Sequence, residues 1–412
     1  MRFRVAPPLL ALAVSGCTST KDCPAGYTLD TASGMCLEDA SDTDTDTDTD
    51  ADTDTDADTD TDADTDADTD TDTDADTDAD PTYTVCDDGI APFAGVQDAV
   101  DAASDGDTIT VCPGTYDHVE IDGLALTLVG DGSETTFIEG GPSHPGLFVT
   151  DSTLSISGFA VSGTAVSDVL GAAIEVDLSS FSATDLRVHD GAVGVYGGYG
   201  VVQRGSEGTW DDVLFDQNAL TGIFLATDGG SLVLRHAVFT ANTPSTSSGG
   251  GPIYVNVDYE IANVLVYGND VTADQSLVTL TPTSDGWIYN TVVAGNTGGY
   301  RVFDIEGSTS TLENCIASDN PDAAGIFAYN GATVQYSDSW GNAVNFSGNA
   351  VSGGTNLSSD PRFTNAAAAD FTLMTGFSPA IDAGNPLSGY NDVDGTRNDL
   401  GIFGGPGGGW TP

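Results

Sequence analysis

The chain has 412 residues, with 64 acids against 9 Lys plus Arg and a formal net charge of -55. Such a surface repels polyphosphate and excludes nucleic-acid binding, which needs a basic stripe. Hydrophobic residues make up 39%, enough for a sizeable core, and no apolar run beyond the amino terminus is long enough to span a bilayer. The acids are unevenly spread. Residues 42–80 alternate Asp with Thr or Ala and hold 20 of them, while the 332 residues that follow carry 40 acids and 6 arginines, near -34.

In chain order, residues 1–16 read as an export signal: Arg2 and Arg4 supply the positive start, and Val5 to Val14 a short apolar stretch. Val14-Ser15-Gly16-Cys17 resembles the bacterial lipobox. That resemblance implies that Cys17 becomes the lipidated first residue of the mature protein. Thr18 in place of Asp implies, by the same resemblance, the outer membrane rather than inner-membrane retention, and the anchored protein is expected to be surface-exposed. Several acyl chains give stable anchoring. Export implies an oxidising compartment. Within residues 17–41, Cys23 and Cys36 flank a small loop and are expected to pair. Cys86 and Cys112 flank the first segment of the main domain and are expected to do the same. Cys315 is left over and is read as a small buried apolar side chain.

The spacer 42–80 has no position apolar enough to bury, so it cannot offset its ordering entropy and is expected to be disordered. Like charges extend it into a stalk. The main domain, 81–412, is a repeat array. VLFDQN, AVFTAN, VLVYGN, VVAGN, CIASDN and SDSWGN close on Asn218, Asn242, Asn269, Asn296, Asn320 and Asn342, at spacings of 24, 27, 27, 24 and 22. Three and five residues before each Asn come side chains on one face of a strand. A period of 22 to 28 with short β-rich runs and no helical pattern means one solenoid coil per repeat. The spacing of leucine-rich repeats is absent. Asn suits a sharp left-handed corner, and its amide can bond to the neighbouring coil.

VQDAVDAASDGDTITVCPGTYDHVEIDGLALTLVGDG, Val96 to Gly132, resembles the start of right-handed parallel β-helix proteins of the pectin-lyase-like superfamily. Val96 to Ala103 would be the capping helix, with Val96, Ala99, Val100 and Ala103 facing the core. DPRF at 360–363, DFTLM at 370–374 and SPAIDAGNP at 378–386 resemble the closing segments of bacterial β-helix proteins. The expectation is therefore an all-β, right-handed parallel β-helix of about ten coils with an amino-terminal capping helix, its last coil covered by an irregular carboxy-terminal segment. This fold hosts lyases, hydrolases, adhesins and scaffolds, so it does not name a function.

A lyase of this superfamily needs calcium carboxylates and a strong base. The domain has no lysine, which leaves Arg187, Arg235 and Arg301, in or beside predicted strands, as candidate catalytic residues. Asp211-Asp212 is the only adjacent acid pair in the repeats, and alternation along a strand would send its members to opposite faces. His189 and His236 fall where other repeats place Asp or Asn, which suggests a ladder role. Asp392, Asp394 and Asp399 in DVDGTRND open like an oxygen-ligand loop, so calcium is the one cofactor suggested. Tyr196, Tyr199, Trp210, Tyr254, Tyr259, Tyr267, Trp287, Tyr289 and Tyr300 would form a sugar-stacking platform if they shared an outer face. The favoured reading is non-catalytic binding of polysaccharide or a surface partner. A polysaccharide lyase or glycoside hydrolase acting on acidic polysaccharide is the enzymatic alternative, and a structural surface scaffold is the third.

Overall fold

The structure, a computed structural model, describes residues 27–30, 35–38, 83–86, 90–141, 144–163, 171–192, 198–244, 250–307, 309–349 and 354–412. The export signal, Cys17, Cys23 and the acidic spacer lie outside them. The chain divides into two compact units, Met1–Asp80 and Pro81–Pro412. In the first, Tyr27–Asp30 pairs antiparallel with Met35–Glu38. Among the described residues no helix is long and apolar enough to cross a membrane.

The second unit opens with a strand, Tyr83–Val85, beside Thr108–Val111. The expected helix follows at Val96–Ala102 and buries Val96, Ala99 and Val100 over the first coil. Ala103 packs partly buried against the same core. Cys86 and Cys112 are joined by a disulfide that ties this cap to the first strand of the array.

From Thr108 the chain winds repeatedly through three parallel sheets. Thr108–Val111 stacks under Ala125–Gly130 in the first sheet, Gly114–Asp117 under Thr136–Glu139 in the second, and Val119–Asp122 under Leu147–Thr150 in the third. The same three ladders continue, with register shifts at Gly171–Ile174 and Arg204–Ser206, to Thr333–Gln335, Asp338–Trp340 and Val344–Gly348. Tyr199–Asp216 and Gly222–Thr240 each pass through the third, first and second sheets in turn, bending at left-handed residues such as Gly205, Asp212, Asp228 and His236. Period-2 alternation decides which side chains turn inward. In the first sheet Ile109, Leu128, Ile156, Ala183, Trp210, Leu234, Ile261, Ile288, Leu312 and Val334 form one buried column, one residue per coil. Each large member contributes roughly 1.5–3 kcal/mol on burial. In the second sheet Phe215 and Phe239 stack at 4.3 Å between ring centroids.

The corner from first to second sheet is a single residue in the left-handed region. Asp185, Asp212, His236, Asn263, Asn290 and Asn314 hold it with φ between 46° and 57°. Asx residues tolerate this region best. The closing asparagines mark the next corner, but the left-handed residue there is the one before each of them: Gln217, Ala241, Gly268, Gly295, Asp319 and Gly341. This corrects the expectation that the Asn itself is left-handed. The preceding residue makes the bend, which turns the Asn side chain into the stack. The amide of Asn218 donates to Asn242 at 3.0 Å, Asn242 to Asn269 and Asn269 to Asn296 at 2.9 Å, Asn296 to Asn320 at 2.9 Å and Asn320 to Asn342 at 3.0 Å.

A second correction concerns the carboxy-terminal segment. It does not stop at the last coil but runs back along the outer face of the second sheet. Val238, Leu265, Val292 and Ile316 point outward there and are covered by Phe371, Ala380, Leu400 and Ile402. The tail follows the first corner column. Asn385 N–H donates to the Asn314 side chain at 2.8 Å, Asn290 Nδ2 donates to the Asp399 carbonyl at 3.0 Å, and Asn263 Nδ2 donates to the Ile402 and Gly404 carbonyls at 2.9 and 3.1 Å. Its glycines are there for close approach. A Cβ on Gly407 would stand 2.5 Å from Asn263 Oδ1, and one on Gly404 would stand 1.9 Å from the Asp399 carbonyl oxygen.

Candidate functional site

Where the tail ends, the corner column continues uncovered as Asp212 and Asp185. A groove of about 340 Å³ lies there, walled by Asp185, Asp212, His236, Tyr267 and Trp410. Strand register explains the convergence. Thr184 pairs with Asp211, and Leu186 with Val213, so Asp185 and Asp212 occupy equivalent corners of successive coils. His236 takes the same corner one coil further on. Because Asp212 is left-handed, the alternation that would separate it from Asp211 is broken. Asp212 is exposed, and Asp211 also reaches the outer surface. The adjacent pair therefore shares one side.

Asp211 Oδ1 lies 2.6 Å from His236 Nδ1, and His236 Nε2 lies 3.0 Å from the Gly407 carbonyl oxygen. The hydrogen bond to His236 lowers the Asp211 carboxyl, and the same bond raises His236. Asp212, though exposed, is raised, first by the partial loss of water on its groove side and then by the neighbouring Asp185 and Asp211 charges. Ser133 Oγ donates to Asp185 at 2.7 Å. The Trp410 ring lies 5.3 Å from His236, tilted over it, with its indole N–H on the Ile402 carbonyl at 3.1 Å. The groove thus offers hydrogen-bond acceptors beside an aromatic wall.

The three candidate arginines are not brought together. Arg187 is on the second sheet, bidentate to Asp216 at 2.9 and 2.8 Å. Arg235 is on the first sheet, 2.6 Å from Glu260. Arg301 begins a strand of the third sheet, 2.6 Å from Asp304 and set against the Tyr300 and Phe327 rings at 4.5 and 3.5 Å. The Asp216 hydrogen bond raises Arg187. Burial pulls Arg235 down, but Glu260 outweighs it and leaves it raised. Raised, ion-paired guanidiniums are poor proton acceptors.

Asp392, Asp394 and Asp399 serve the tail. Asp392 accepts the N–H groups of Asp399 and Gly405, Asp394 accepts from Thr396, and Asp399 accepts from Asp382 N–H. Among the described residues no group of three or more His, Cys, Asp or Glu is placed to hold a metal ion. Cys315 is free and buried, and burial raises its thiol. The aromatic residues do not form one platform. Trp210 and Tyr259 lie inside the solenoid, Tyr267 packs on Phe371 at 5.3 Å, Tyr289 donates to Glu260 at 2.6 Å, Tyr300 is exposed, and Tyr196 lies outside the described residues. Trp410 and Asp185 were not singled out by the sequence. Only the column six residues before each closing Asn pointed toward this corner. A shallower hollow of about 240 Å³ over the first sheet is lined by Thr127, Ser155 and Ser182 and has no titratable side chain.

Residues 199–365 match the Beta_helix family, described as the right handed beta helix region. The unit Pro81–Pro412 folds as a right-handed parallel β-helix. That hand is also the one expected of parallel strands joined by crossovers. Among solved structures, this β-helix resembles the pectate lyase Pel9A at 13% identity, over 76% of this chain and 91% of the other, with a TM-score of 0.48. An alginate lyase from Paenibacillus sp. matches at 16% identity, over 64% and 94%, with a TM-score of 0.37. The mannuronan C-5 epimerase AlgE4 A-module of Azotobacter vinelandii matches at 15%, over 64% and 88%, with a TM-score of 0.24. No curated protein matches the chain in sequence. Likenesses at these levels assign no reaction to this β-helix.

Proposed function

We propose that this β-helix is an exported, lipid-anchored surface protein that binds polysaccharide in the corner groove without cleaving it. The observation that carries the reading is the convergence of Trp410 with Asp185 and Asp212 in one open groove. Sugar rings present C–H faces to an aromatic wall and hydroxyls to carboxylate acceptors. With several carboxylates at the groove and Arg187 and Arg235 already paired, the ligand class is a neutral or amine-bearing glycan, and uronates are repelled. The resemblance of Val14 to Cys17 to a lipobox, together with the acidic spacer, supports presentation of the domain away from a membrane.

A second reading, glycoside hydrolysis, is favoured by one observation: Asp212 is raised while its neighbour Asp211 is lowered. Environments that push two carboxyls apart create an acid and a base. Incubating the purified protein with neutral, amino-sugar and uronate polysaccharides, and assaying both binding and new reducing ends, separates the two. Binding to the first two classes without products supports the binder. Products that vanish in Asp212→Asn support the hydrolase. Silence on all three overturns both and leaves a scaffold.

A further inference from the structure

We propose that the tip of the chain, residues 405–412, is a latch over the corner column, closed when His236 carries two ring protons and open when it carries one. Both His236 nitrogens face groups that only accept: the Asp211 carboxylate at 2.6 Å and the Gly407 carbonyl at 3.0 Å. A neutral imidazole has one N–H and cannot donate to both. The bond to the carboxylate is the stronger because it is charge-assisted. On deprotonation the remaining proton therefore stays on Nδ1, and Nε2 turns a lone pair toward the Gly407 oxygen. The tail tip then loses its hydrogen bond to the column and meets a repulsive contact, and its remaining hold, the Trp410 indole N–H on the Ile402 carbonyl, breaks as the latch opens.

The rest of the tail stays in place. Upstream, Leu400 and Ile402 sit in the apolar cluster on the second sheet, and Asn290 and Asn263 hold the Gly401 and Gly404 carbonyls at 3.1 Å. The pivot is Gly405, at φ 74°, a backbone conformation open to glycine. Beyond it the chain reads Pro406-Gly407-Gly408-Gly409-Trp410-Thr411, with no ionisable side chain. Titration of the latch is therefore set by the coil groups around His236 together with the Gly407 carbonyl. Asp211 raises it, burial opposes, the Gly407 carbonyl raises it further, the neighbouring Arg235 lowers it, and Asp212 at the adjacent corner adds a further negative charge. The balance lies above the ordinary histidine value, so the latch is closed in acid and opens as pH rises past that balance. Opening removes Trp410, Thr411 and Pro412 from the groove wall.

The test reads Trp410 directly and needs no glycan, so it can fail while the binding reading stands, or the reverse. Acrylamide quenching of the full-length protein is followed from pH 5 to 9, and the Trp410→Phe variant is subtracted to isolate that ring. Quenching of Trp410 is expected to rise at least twofold along a single titration. His236→Gln keeps an N–H for Gly407 but cannot titrate, and its curve is expected to be flat. Asp211→Asn should move the midpoint to lower pH. Constant quenching in the wild type, or a pH step that survives in His236→Gln, overturns the latch. If His236→Gln fails to fold, an unmoved midpoint in Asp211→Asn does so equally.

Discussion

Asp211 and His236 stand on successive coils with 2.6 Å between carboxylate and imidazole, and this pair joins the first sheet, the corner column and the carboxy-terminal tail at one point. It fixes the charge at the mouth of the groove. Asp211 is spent on His236 and Asp185 accepts from Ser133 through one oxygen, which leaves Asp212 and the second oxygen of Asp185 to meet a ligand.

The pH dependence of stability has a definite sign. Asp338 is 0% exposed, with Ser359 N–H on one oxygen, and burial lifts it to about 6 from an ordinary 3.8. Its protonated form fits the fold, so the cost of the charged form appears between pH 4 and 6 and is full above that. His236, also raised, contributes stability in acid that is lost as pH rises through its folded value. Urea midpoints should therefore be higher at pH 5 than at pH 7.5. Asp338→Asn should be more stable than wild type at pH 7.5, by at most about 3 kcal/mol, and no more stable at pH 4. Equal midpoints for the two proteins at pH 7.5 would contradict this.

Asn269 sits in the middle of the amide stack. It donates to Asn296, Phe239 and Tyr267 and accepts from Asn242. Asn269→Ala leaves buried donors and acceptors on both neighbouring coils without partners and should cost about 2–4 kcal/mol by chemical denaturation. A loss under ~0.5 kcal/mol would mean that the stack is not a stabilising element.

The Cys86–Cys112 bridge joins residues at a sequence separation of 26. Reducing it should cost about 2–4 kcal/mol, expressed first as faster amide exchange in the helix Val96–Ala102. Peptide mapping that finds Cys86 and Cys112 themselves as free thiols in the native protein would refute the bridge.

Gly404→Ala forces a Cβ against the Asp399 carbonyl and should release the tail from Asn263 and Asn290 while leaving the coils intact. Limited proteolysis is the check: cleavage between residues 399 and 412 should rise about tenfold or more with little change in global unfolding. Unchanged cleavage would place the tail elsewhere.

The coils were legible because each buries one apolar face and closes on an Asn whose period repeats, as at Asn242, Asn269 and Asn296. The helix was legible from Val96, Ala99 and Val100 on one side. The tail's path was not, because Asn290 meets Asn398 across 108 residues and no local pattern encodes that meeting. Nor was the groove. Alternation argued Asp211 and Asp212 apart, and only the left-handed backbone of Asp212 brings them to one side. Trp210 and Tyr259 could not be told from surface aromatics because inward positions in a wide coil accept rings as readily as aliphatic side chains.

The most direct measurement is calorimetric titration of the full-length protein with a glucosamine hexamer, set beside the Asp185→Asn, Asp212→Asn double variant and Trp410→Ala. A glycan groove at this corner requires saturable binding by wild type and at least a tenfold weaker Kd in each variant, with unfolding midpoints unchanged. Binding that is identical in all three proteins would place the ligand elsewhere on the β-helix and contradict the assignment.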